Sequence, residues 1–169
     1  MAELRDALKK LGGITPRLNK ATDEANAVFR ATEDLLTKLA IGIDAAVDVM
    51  PLRDDDVSEE EGVPPVRTSE TLRLVYGRIT GRMRLGFHVE TIRSNPDTRE
   101  DGDGVLAIEF DRLVAWDQAP REWKLTGIVK LPELISTIAE SAEGMVDNAE
   151  AATIAAKKML ADLDAVTKN

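Results

Sequence analysis

Seven arginines crowd into residues 67–99: Arg67, Arg73, Arg78, Arg82, Arg84, Arg93 and Arg99. Only Glu70, Glu90 and Asp97 oppose them there, a local net charge of +4. Guanidinium forks match the oxygens of phosphates and carboxylates. Strand alternation would bring Arg73, Arg82 and Arg84 onto one surface. With Arg78 and Arg93 they form a candidate face for a nucleic acid, a nucleotide or an acidic protein. Internal neutralisation by Glu90, Glu109, Asp111 and the acids of 54–61 is the competing expectation. The flanks favour it: residues 1–66 carry −6 and residues 100–169 carry −7, so the whole chain, at −9, repels polyanions. Nucleic acid is therefore possible but not favoured.

The remaining reactive side chains are sparse. His88 is the single histidine and there is no cysteine, which excludes disulfides, thiolate metal sites and cysteine nucleophiles. His88, Glu90, Glu109 and Asp111 could face one another on a sheet, but neighbouring arginines repel a cation, and cross-strand charge pairing accounts for them. "EDGDG" at 100–104 lacks the full spacing of a calcium loop and reads as a hairpin turn. "GRITGR" follows a strand without opening a helix, so it does not meet the dinucleotide pattern. No catalytic residue, metal or cofactor is expected, and the chain reads as a non-enzyme.

The arginines need a sheet to position them. Leu72, Leu74 and Tyr76 alternate with Arg73 and Val75; a second alternating run is Met83, Leu85, Phe87 and Val89, and a third is Leu106, Ile108 and Phe110. Each run is a strand with one apolar face, and the short connections favour an antiparallel meander of three strands. Residues 52–66, "LRDDDVSEEEGVPPV", read as an acidic linker before this head. Five of the six aromatics, all but Phe29, lie within 76–123. Pro120 suits the first position of a short helix with Glu122 in its first turn, and Pro132 marks a kink or restart. Trp123, Ile128 and Val129 are expected to help cover the sheet.

Two long heptad seams flank the head. Leu18, Ala21, Ala25, Val28, Thr32, Leu35, Leu39, Gly42, Ala46 and Val49 form the first, with Phe29, Leu36, Ile43 and Met50 beside it. It predicts a helix starting at Thr15-Pro16 and stopped by Pro51. A short third helix, "AELRDALKKL", would end at Gly12-Gly13. The second seam runs Leu131, Ile135, Ile138, Ala142, Met145, Ala149, Ala152, Ala156, Met159, Leu163 and Val166, predicting a helix over 131–167. Both helices span about 50 Å. The economical arrangement pairs them antiparallel, Leu39 by Ala142, Leu35 by Met145, Val28 by Ala152 or Thr153 and Ala21 by Met159 or Leu160.

The predicted architecture is thus α+β: a long antiparallel helical hairpin, coiled-coil-like, with a three-stranded meander inserted between its arms. Residues 1–51 supply the short and long N-terminal helices, 52–66 the linker, 67–130 the head and 131–169 the C-terminal helix, as one structural unit. The expected function is structural or adaptor. The chain would self-associate, a dimer favoured, or dock on a larger assembly through Val28, Leu35, Leu39, Ala142, Met145, Ala152 and Met159. An anion-binding arginine head is the alternative. No apolar run resembles a signal peptide or a membrane span, which suggests a cytoplasmic protein without a membrane partner.

Overall fold

The computed structural model describes the backbone of residues 2–58, 66–94 and 105–167, with side chains for 3–52, 68–93 and 112–160. Helix α1 spans Ala2–Lys38 and is followed by four strands, β1 Ala45–Ser58, β2 Val66–Ile79, β3 Arg82–Ser94 and β4 Val105–Ala115. A 3-10 turn at Trp116–Gln118 leads to α2, Arg121–Gly127, and a second turn at Ile128–Lys130 leads into α3, Leu131–Thr167. The strands form one antiparallel sheet in the order β1-β2-β3-β4.

The predicted helical hairpin does not form, and the sheet has four strands rather than three. Two departures explain this. The first is at Lys38, where α1 ends twelve residues before Met50. Ala40 takes a left-handed backbone (φ 53), its N–H bonds the Thr37 carbonyl at 3.1 Å, and the Ile41 N–H reaches back to the Leu36 carbonyl at 3.4 Å. That pair of bonds is a Schellman stop, with Ile41 packed against the core that contains Leu36. Beyond it Ala45, Val47 and Met50 pair with Tyr76, Leu74 and Leu72 of β2. The end of the predicted helix and the first part of the predicted linker are therefore strand β1. Pro51 is tolerated within it because β1 is an edge strand, near one of its register shifts.

The second departure is at the N-terminus. Gly12-Gly13 and Thr15-Pro16 do not break the chain into two helices; Pro16 lies inside α1. The Thr15 hydroxyl donates to the Leu11 carbonyl at 2.8 Å instead of capping a new helix.

Three strands fall on the three predicted alternating runs, extended at their ends. Ile79 pairs with Arg82, so Thr80 (φ 49) and Gly81 (φ 88) form a two-residue hairpin turn with positive φ at both central positions, the type I′ geometry. Val47, Leu72, Leu74, Tyr76, Leu85, Phe87 and Val89 form the buried face. Phe29 and Leu36 of α1 cover it, with Leu131, Leu134 and Ile138 of α3 and Trp116 between strand and helix. The Phe29 ring stacks on Trp116 at 5.9 Å and meets Phe87 edge-on at 5.9 Å.

Among the described residues, each long helix thus contributes only one end to the core. In α1 the buried residues are Ala25, which lies on the predicted seam, and Phe29 and Leu36, one position round beside it. α3 is buried at Leu131, Leu134 and Ile138, half-buried at Ala142, and exposed at every described residue beyond. α1 packs on α2 and β3, α3 on β1 and β2, and the two do not lie along one another. Ile128 packs on the core as expected; Val129 is exposed.

Candidate interaction site

The arginine island divides. Arg73 stands opposite His88 on β3 and Asp48 on β1. Its Nε lies 2.9 Å from Asp48 Oδ1, and its Nη1 donates to Glu90 Oε2 at 3.0 Å. Arg84 donates through Nη2 to Asp117 Oδ2 at 3.1 Å and through Nε to Glu33 Oε1 at 3.4 Å. Burial alone would lower the Arg84 pKa, but the Asp117 hydrogen bond and the Glu33 and Asp117 charges together raise it. Arg73 and Arg84 are therefore largely neutralised within the fold. Arg78 and Arg82 are exposed beside the Thr80-Gly81 turn. Arg93 is exposed and has an interaction of its own. The Glu109, Asp111 and 54–61 side chains, proposed as further neutralising groups, lie outside the described residues, as does the 100–104 turn.

His88 sits at 9% exposure beside Arg73 and Glu90. Burial pushes its pKa below the ordinary value, Glu90 pulling the other way and Arg73 adding to the fall. Among the described residues no group of three histidine or acidic side chains is placed to hold a metal ion.

One residue that the sequence did not single out organises this end of the sheet. Glu33 of α1 accepts the Leu85 backbone N–H at 2.9 Å and the Trp116 indole N–H at 3.1 Å through Oε2, while Oε1 takes Arg84. The Tyr76 hydroxyl donates to the Ile41 carbonyl at 3.0 Å. Burial and the Glu33 charge both raise the tyrosine pKa and keep that proton in place. A cleft of about 650 Å³ opens here between Glu33, Leu36, Tyr76, Arg82, Arg84 and Asp117. Its charged lining is mostly committed to internal pairs. The only prior signal for Glu33 was its place, one turn after Phe29 on the face that became buried.

The helix seam residues have the opposite fate. Val28, Leu35, Leu39, Met145 and Met159 are 46–60% exposed, Ala152 is exposed and Ala142 half-buried, so the structure does not bring them together. Residues 3–21 of α1 and 143–160 of α3 are exposed throughout and are called here the two arms. Leu4, Leu8 and Leu11 are 60%, 59% and 59% exposed and continue to Leu18, a stripe the seam had not included before Leu18. Met145, Ile154, Met159 and Leu160 are exposed to 60% or more on the α3 arm.

No protein family, curated protein or solved structure matches this chain. The described helices include none long and apolar enough to cross a membrane.

Proposed function

We propose that this chain is a non-enzymatic interaction protein, structural or adaptor in role, whose sheet and helix ends form a platform and whose arms bind protein. The observation that carries this is the pair of bare arms. Leucines at Leu4, Leu8, Leu11 and Leu18 and methionines at Met145 and Met159 lie in solvent at helical spacing. Tertiary packing supplies most helical stability, and the arms lie in solvent along their described length. Gly12 and Gly13 each cost about 1 kcal/mol against alanine, and Pro16 inside the helix about 3 kcal/mol. A partner that covers the stripe offsets those costs. Contiguous apolar surface of this kind marks protein contacts.

The anion-binding alternative has less support. Arg73 and Arg84 already face Asp48, Glu90, Glu33 and Asp117, which leaves fewer guanidinium groups for an outside phosphate.

The test is photo-crosslinking in the native cell, with a benzophenone amino acid at Leu11, at Met145 and, as control, at exposed Arg121 of α2. Protein adducts are expected at the two arm positions and not at Arg121. Bare, uncrosslinked chain at both arm positions removes the proposal.

A further inference from the structure

We infer that the partner of each arm is a second copy of this chain: the α1 arm of one copy lies antiparallel along the α3 arm of the other, and the reverse pair completes a two-fold dimer. This rests on the reading of the arms as contact surfaces and names what covers them.

The signs of the arms match. Residues 3–20 carry Arg5, Lys9, Lys10, Arg17 and Lys20 against Glu3 and Asp6, a net +3. Residues 140–160 carry Glu140, Glu143, Asp147 and Glu150 against Lys157 and Lys158, a net −2. The order matches too. Run antiparallel, the basic stretch from Lys9 to Lys20 falls beside the acids from Glu150 back to Glu143. The acidic tip, Glu3 and Asp6, falls beside Lys157 and Lys158. Complementary charge of this kind fixes register and orientation more than affinity.

The apolar positions agree with the same register. Aligning Leu18 with Met145 places Leu11 opposite Ala152 and Leu4 opposite Met159, each step one heptad along both helices. Leu8 then falls by Ala156 and Thr15 by Ala149. Leucines against alanines let two helices interdigitate at close range. Like-with-like pairing is poorer. Two α3 arms would stack Ala149, Ala152 and Ala156 on their own copies and bury little. Two α1 arms would gather Lys9 and Lys10 of both copies at the middle of the seam.

Surface is available for this on both arms, which are exposed throughout residues 3–21 and 143–160.

The experiment mixes purified chain in natural and nitrogen-15 form, joins amines to carboxylates with a zero-length carbodiimide, and sequences the linked peptides. Mixed-isotope peptides joining Lys9, Lys10 or Lys20 to Glu143, Asp147 or Glu150 are expected, with a concentration-dependent mass that rises to twice 18.5 kDa. Mixed-isotope links only between α1 arms, single-isotope links alone, or a monomer at every concentration overturns the α1–α3 pairing. Charge reversal gives the second arm of the test. Lys9→Glu/Lys10→Glu/Arg17→Glu/Lys20→Glu in one chain, or Glu143→Lys/Asp147→Lys/Glu150→Lys in another, should each weaken self-association at least about tenfold. An equimolar mixture of the two should restore it, and no restoration overturns the pairing. If the purified chain stays monomeric while Leu11 and Met145 still crosslink another protein in cells, this inference fails and the broader reading of the arms stands.

Discussion

Glu33 accepts the backbone N–H of Leu85 at 2.9 Å, a contact between residues 52 apart in the chain. The carboxylate also takes the Trp116 indole and the Arg84 guanidinium, so a single side chain ties α1 to β3 and to the turn after β4. Its exposure is 18%, as is that of Arg84.

Removing that carboxylate strands the Leu85 N–H and the Trp116 indole N–H in a largely buried place and leaves Arg84 with Asp117 alone. Glu33→Ala is expected to cost about 2–3 kcal/mol. Urea unfolding checks it, and Glu33→Gln, which keeps one acceptor, should cost less. A change under half a kilocalorie per mole for Glu33→Ala would show that the cluster does not hold α1 in place.

Two positive-φ residues carry side chains that their backbones disfavour. Ala40 (φ 53) stops α1 and Thr80 (φ 49) opens the β2–β3 turn. Ala40→Gly and Thr80→Asn should each raise stability by about 1 kcal/mol, since glycine and asparagine enter the left-handed region with little strain. Thermal melts are the check; destabilisation by Ala40→Gly would contradict the helix stop described above.

Glycines on α2 and α3 should respond with opposite sign. A Cβ at Gly127 would strike the Phe87 ring, while one at Gly144 meets nothing within 4 Å. Gly127→Ala is expected to cost about 1–3 kcal/mol through overpacking. Gly144→Ala should stabilise the α3 arm by up to about 1 kcal/mol through helix propensity, read as added helicity in circular dichroism.

His88 makes stability depend on pH. Its folded pKa lies below the ordinary histidine value of 6.5, so the unfolded chain takes up the proton first as pH falls. This contribution to stability is complete above that value and is lost as pH drops through it, until the folded state is itself protonated. The urea midpoint should therefore fall between about pH 7.5 and about pH 5.5, and His88→Gln should shrink the fall. An unchanged pH slope in the variant would mean that other groups, not the imidazole beside Arg73 and Glu90, set the dependence.

How far the sequence could be read varies residue by residue. The helix over 131–167 was legible because it has Pro132 in its first turn and no later proline, and α3 follows that span. β2 and β3 were legible because Leu72, Leu74 and Tyr76, like Leu85, Phe87 and Val89, alternate in a period that only a half-buried strand keeps. Residues 41–50 were ambiguous. Ile43 and Met50 continue the heptad spacing of Phe29 and Leu36, yet Ile41, Ile43, Ala45, Val47 and Val49 also alternate strictly by two. Over ten residues the two periods share too many positions to be separated locally. The strand partners Tyr76 to Leu72, 22 to 31 residues along the chain from Met50 to Ala45, decided for the strand.

The sequence by itself determined where apolar stripes lie and that arginines gather on one pair of strands, because both follow from local period and composition. Only the tertiary structure decided which stripe is spent on the core. Phe29 and Leu36 meet aromatic and aliphatic partners on the sheet, whereas Val28, Leu35 and the arm leucines are left facing water. The same holds for the arginines: Arg73 and Arg84 are neutralised by Asp48, Glu90, Glu33 and Asp117, all four brought in from other elements. Burial and charge pairing are properties of what lies opposite a residue, and that is set by folding in three dimensions.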